Sequence, residues 1–174
     1  GMEELVRYVY AKGHRRIAFI HGEQTAVTEN RLTGFYRACD ALELEIPDAY
    51  IREGVYHDPD RCAELTRELL RLPEPPTCIL MPDDFSSIGG RNAIHRMDLR
   101  LPEDISVAGY DGIQIASVMS PALTTYRQDT QALGRTAAAK LIELIEKPRT
   151  ALVDRVLIPG HLVEGASVRA IEVL

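Results

Sequence analysis

What most constrains this chain is an alternation. Four short strand-like runs, three of them mostly apolar, RIAFIH (16–21), TCILM (77–81) and ISVAGY (105–110), with AYIREG (49–54), are separated by segments whose apolar residues recur at helical spacing. Leu5, Val6, Val9 and Tyr10 share one face of a helix that Gly13 ends as a C′ residue. Leu32, Phe35, Cys39 and Leu42 share another, in a helix placed at 29–42. Asp58-Pro59 starts a third: Asp58 caps, and Pro59 at the first helical position loses no hydrogen bond. It carries Cys62, Leu65, Leu69 and Leu72 and stops at Pro73. A fourth helix runs over 85–97 despite Gly89-Gly90, a long one over 129–146, and a last strand lies near 155–163. Strands alternating with helices require right-handed crossovers, so the fold class is α/β, a parallel sheet flanked by helices on both faces.

In such sheets ligands sit outside the carboxyl ends of the strands. The first strand ends in His21-Gly22-Glu23 and a polar loop reaching Asn30-Arg31, and the second in Tyr56-His57-Asp58. The third ends in Asp83-Asp84 and the fourth in Tyr110-Asp111-Gly112. One rim thus gathers carboxylates, an arginine, amides and aromatics. Carboxylates accept pairs of hydrogen bonds from neighbouring hydroxyls, Arg31 offers a rigid donor fork, and Tyr56 a flat face for a sugar ring. The chemistry points to a neutral polyhydroxyl ligand. Each residue also has a plainer reading: Asp111-Gly112 is a common turn pair, Asp84 a helix N-cap, Arg31 a solvated helix residue and Tyr56 a packed aromatic. Their coincidence at four successive strand ends favours the site.

The same residues argue against other classes. The formal net charge is −6, from 20 basic and 26 acidic residues without a basic cluster, so the chain alone is a poor partner for nucleic acid. No apolar run reaches the roughly 20 residues that span a bilayer, and the opening is acidic where a signal peptide is basic. Cys39, Cys62 and Cys78 are odd in number and far apart, and read as buried thiols of a cytoplasmic protein. The five histidines lack ligand spacing, so no metal and no cofactor is expected. No phosphate-binding, nucleophile-elbow or zinc-protease motif occurs, so the chain does not read as an enzyme. Asp83-Asp84 has the look of a phospho-acceptor site. That reading needs an acidic pair after the first strand and a lysine late in the sheet, and no lysine lies between Lys12 and Lys140.

KGHRRIAFIHG, NRLTGF, PPTCILMPDD, LRLPEDISVAGYDG, PALTTYRQDTQALG and LIELIE, in this order over 3–168, resemble the effector-binding domain of LacI-type transcription repressors. LPEDISVAGYD followed by PALTT-x-x-Q is the most specific element. The resemblance implies one lobe of a two-lobe, periplasmic-binding-protein-like fold with a sugar or nucleoside-like effector in the cleft, and the polyhydroxyl chemistry of the rim favours a carbohydrate. It implies that Arg31 grips the effector, Tyr56 packs on its ring, Asp111 binds hydroxyls and Gln128 sits at the lobe crossing. Asp83 and Thr25 fall at further contact positions, beside a Val27 whose side chain cannot hydrogen-bond. Residues 2–123 match the C-terminal lobe, 124–150 a crossover and helix that pack on a first lobe, and 151–174 a return strand and tail. The first lobe and the helix-turn-helix have no counterpart in the chain, so operator DNA is a partner only through that N-terminal domain, in a homodimer, with no membrane involved. The stripe Leu133, Ala137, Leu141 and Leu144, with Ile145 beside it, is then expected to pack on this lobe in an unusual way or on a partner chain. A solute-binding protein feeding a transporter is the alternative on the same fold.

Overall fold

The structure, a computed structural model, describes residues 1–148 and 155–172. Six strands form one sheet: β1 (Ile17–His21), β2 (Ile51–Glu53), β3 (Cys78–Leu80), β4 (Ser106–Asp111), β5 (Thr124–Arg127) and β6 (His161–Val163). Their order is β2-β1-β3-β4-β5-β6, parallel except for the antiparallel β5–β6 pair at one edge. The helices are α1 (Met2–Ala11), α2 (Ala26–Ala41), α3 (Pro59–Leu70), α4 (Ser87–Arg96), α5 (Gln114–Val118) and α6 (Thr130–Glu146). This is the expected α/β architecture.

The pleat divides the core. Ile17 and Phe19 of β1 join Cys78, Leu80 and Ala108 under α1 and α2, with Leu5, Val9 and Phe35. Ala18 and Ile20 point the other way, with Ile79 and Val107, against Cys62, Leu65, Leu69 and Ile94 of α3 and α4. Strands buried on both faces read as unbroken apolar runs, which is why β1, β3 and β4 stand out in the sequence. Gly13 ends α1 at φ 99°, donating to the Tyr10 carbonyl at 2.9 Å. Asp58 caps α3 by accepting the Arg61 N–H at 2.9 Å. Helix α4 tolerates Gly89 because a Cβ there would collide with the Pro59 backbone of α3, so the glycine permits the close approach of the two helices.

Several boundaries differ. Helix α2 starts at Ala26 rather than 29, because Thr25 caps it by accepting the Thr28 N–H at 3.2 Å. The segment 124–127 is a strand of this sheet, so the division drawn at residue 124 cuts through the β4–β5 pair. The last strand is only His161–Val163, and residues 155–160 carry no regular structure. The tail beyond it is stitched to the lobe: Ser167 donates to the Val107 carbonyl at 2.6 Å and accepts the Thr124 N–H at 2.8 Å. Helix α6 occupies the predicted span behind its Asp129 cap, yet none of its residues is buried. The expected packing of its stripe on this lobe is not found, because α1–α2 and α3–α5 already occupy both sheet faces.

Candidate ligand-binding site

Strand order reverses between β1 and β3, and the carboxyl ends of the parallel strands there open a crevice. Arg31, on the second turn of α2, reaches across it. Its Nη1 donates to the Pro82 carbonyl after β3 at 2.6 Å, and its Nη2 to Asp111 Oδ1 at the end of β4 at 3.1 Å. The guanidinium lies 3.9 Å from the centroid of the Tyr110 ring and 5.2 Å from that of Tyr56. Gln128, just past β5, donates from Nε2 to the same Asp111 oxygen at 2.7 Å. Asp111 therefore has one oxygen taken up by two donors, while its Oδ2 carries no hydrogen bond among the described residues. Burial raises the Asp111 pKa above the ordinary carboxylate value, and Arg31 and Gln128 oppose that rise.

Beside this triad lies a cleft of about 410 Å³ lined in part by Val27, Asn30, Arg31, Tyr110 and Gln128. Tyr56 is not among the residues that line this cleft, and hydrogen bonds of its own hold it near Arg31. With the Thr28 hydroxyl donating to the Glu23 carbonyl at 2.6 Å, the Tyr56 O–H donates to Thr28 Oγ1 at 3.0 Å. The Tyr56 N–H in turn donates to Glu23 Oε2 at 2.9 Å. Four of the six residues singled out from the sequence, Arg31, Tyr56, Asp111 and Gln128, are thus brought together. The other two have internal duties. Thr25 caps α2, and the Asp83 carboxylate accepts from Ser86 N–H (2.7 Å), Ser86 Oγ (2.8 Å) and His57 N–H (3.0 Å).

Three participants escaped sequence reasoning. Tyr110, which stacks on Arg31, was visible only as a strand-end aromatic. Thr28 shows no signal beyond its spacing from Thr25. Asp84 reads as a helix cap, but its carboxylate leaves the helix altogether: Oδ2 accepts the Ile113 N–H at 2.9 Å and Oδ1 the Thr125 hydroxyl at 2.6 Å. Among the described residues no group of three or more His, Cys, Asp or Glu is placed to hold a metal ion. All three cysteines are buried thiols, and burial pushes Cys39 up to about 11 and Cys62 up to about 12, far from a reactive thiolate.

Residues 6–168 match the model of the periplasmic binding protein-like domain family. The chain belongs to that family. Within it, it is an effector-binding domain of the LacI type. It is 34% identical over 151 residues to the probable transcriptional repressor ExuR of Bacillus subtilis, covering 86% of this chain and 45% of that protein. It is 33% identical over 144 residues to the repressor PurR of Escherichia coli, covering 82% of this chain and 42% of that one. The chain therefore spans a little under half the length of these two relatives. Among solved structures, a putative LacI-type regulator from Bacillus cereus superposes with a TM-score of 0.92 at 26% identity, over 98% of this chain and 60% of that one. The regulator CelR in complex with cellobiose superposes at 0.87 and 29% identity, over 96% and 51%. The relatives named are regulators of transcription, not enzymes. No helix of this LacI-type domain, among the described residues, is long and apolar enough to cross a membrane.

Proposed function

We propose that this chain is the ligand-gripping C-terminal lobe of a LacI-type transcription regulator and that its ligand is a small neutral polyhydroxyl molecule, a sugar or a close analogue. The observation that carries the reading is Asp111. Its carboxylate is oriented by Arg31 and Gln128 through one oxygen, and the other is left for a ligand hydroxyl. The neighbouring Asp83 and Glu23 disfavour an anionic ligand at the same rim. In this reading residues 124–150 lead to, and α6 packs on, a second lobe that completes the cleft. Effector binding then shifts the lobe–lobe equilibrium of a cytoplasmic homodimer. Contact with operator DNA falls to a separate helix-turn-helix domain. The repressor relatives, and the cellobiose held by CelR, support a regulator over a solute-binding protein that feeds a transporter.

A thermal-shift screen of the regulator against neutral sugars, nucleosides and sugar phosphates tests this. A neutral sugar should raise the melting temperature, since a ligand that binds only the folded state stabilises it by mass action. Asp111→Ala should weaken that sugar by roughly 10- to 100-fold, the worth of hydrogen bonds to a charged group, about 1.5–3 kcal/mol. Stabilisation by sugar phosphates alone, or an unchanged affinity in Asp111→Ala, overturns the assignment.

A further inference from the structure

Two of the four non-glycine residues with positive φ among the described residues lie in the two site loops, and the other two, Glu43 and Asp98, lie elsewhere. His57, beside Tyr56, has φ 58°, and Asp111 has φ 104° with Gly112 at 69° behind it. A left-handed residue that is not glycine is strained and persists only where its surroundings over-determine it. In both loops the surroundings are the same dipeptide. Asp83 accepts the His57 N–H at 3.0 Å, while its remaining bonds to Ser86 anchor it at the start of α4. Asp84 brackets Asp111: its backbone N–H donates to the Tyr110 carbonyl at 2.9 Å and its carboxylate accepts the Ile113 N–H at 2.9 Å. The other Asp84 oxygen takes the Thr125 hydroxyl of β5. Both aspartates are essentially inaccessible. Gly109 makes room for Asp84, since a Cβ there would strike its Oδ1.

We propose that Asp83 and Asp84 are positioning residues, a back-to-back clamp that holds the Tyr56–His57 and Asp111–Gly112 turns in the shape that presents Tyr56 and Asp111 to the ligand. This rests on the ligand site proposed above, but the clamp acts in the empty protein and is tested there. The two carboxylates differ in what an amide can replace. Asp84→Asn keeps an oxygen for the Ile113 N–H and turns its NH₂ to Thr125, whose hydroxyl rotates to accept. Asp83→Asn cannot comply, because N–H donors face both of its oxygens: Ser86 on one side and His57 on the other.

Amide hydrogen exchange of the ligand-free protein, read residue by residue by NMR, separates these cases. Asp84→Asn should leave Ile113 exchange within about threefold of wild type. Asp84→Ala should speed it at least tenfold, and Asp83→Asn should speed His57 or Ser86 at least tenfold, while core amides such as Phe19 and Ile79 stay slow. A merely structural loss would loosen the core amides together with the turns. If Asp84→Ala fails to fold, the two asparagine variants decide alone. Unchanged His57 and Ser86 exchange in Asp83→Asn, or fast Ile113 exchange in Asp84→Asn or in wild type, overturns the clamp. None of these readouts needs a ligand, so a failure of the sugar assignment leaves them intact.

Discussion

His14 and Asp84 are both buried, and burial disfavours the charged form of each. For His14 this lowers the pKa to about 4, against the hydrogen bond that Nε2 donates to the Arg169 carbonyl at 3.1 Å; Nδ1 lies 2.9 Å from the Thr77 hydroxyl. For Asp84 burial raises it to about 6, against the bonds from Thr125 and Ile113 that lower it, with Asp111 adding a smaller upward push. The consequences for stability have opposite signs. Between about 4 and the ordinary histidine value, the unfolded chain binds a proton at His14 that the folded one does not, so stability rises with pH. Between the ordinary carboxylate value and about 6, the folded chain keeps a proton on Asp84 that the unfolded one has released, so stability falls with pH. Over much of one window the two effects oppose each other, and the wild type should show a shallow profile. Asp84→Asn removes the falling component. Its unfolding free energy, measured by urea denaturation, should rise between about pH 4 and pH 6.5, by roughly 1–2 kcal/mol. His14→Gln should do the reverse and lose stability over the same interval. A steep wild-type profile that Asp84→Asn leaves unchanged would show that Asp84 does not titrate there.

At the scale of elements, α6 differs from every other long helix. Leu141, Ile142 and Ile145 are exposed, and no residue of the helix is buried, whereas α3 inserts Cys62, Leu65 and Leu69 into the core. Replacing Leu141 or Ile145 by Glu should therefore shift the stability of this chain by no more than about 0.5 kcal/mol, while Leu65→Ala should cost about 2–5 kcal/mol. Denaturation midpoints of the three variants check the contrast. The same contrast explains what the sequence could and could not reveal. A stripe at helical spacing shows that α6 is a helix, but spacing carries no information about which surface receives it. Strands β1, β3 and β4 were legible because both of their faces meet apolar helices. Strand β5 was not, because Thr124 and Thr125 are buried through hydrogen bonds instead: Thr124 accepts the Gly165 N–H and Thr125 donates to Asp84. Of the site, Arg31, Tyr56, Asp111 and Gln128 follow from strand ends and family pattern. The work of Asp83 and Asp84 was hidden, because a carboxylate that holds a turn and one that faces a ligand look alike until their hydrogen bonds are known.

For the molecule as a whole, the exposed α6 stripe and the exposed Val156 and Leu157 add apolar surface outside the lobe's own two cores. Contiguous apolar surface of this kind drives association. ExuR and PurR are more than twice as long as the span matched here, and in the function proposed above a second lobe covers this surface. Studied as the 174-residue chain, the protein has only another copy of itself to offer that surface. Sedimentation velocity should show reversible self-association that grows with concentration, and the double substitution Leu141→Glu and Ile145→Glu should shift it toward monomer without lowering the melting temperature. The acidic net charge of −6 opposes association at low ionic strength. The apolar origin therefore predicts dimer strengthening as salt rises, whereas association through ion pairs would weaken. A chain that stays monomeric at all concentrations and salts would mean that α6 is stable in water without a partner.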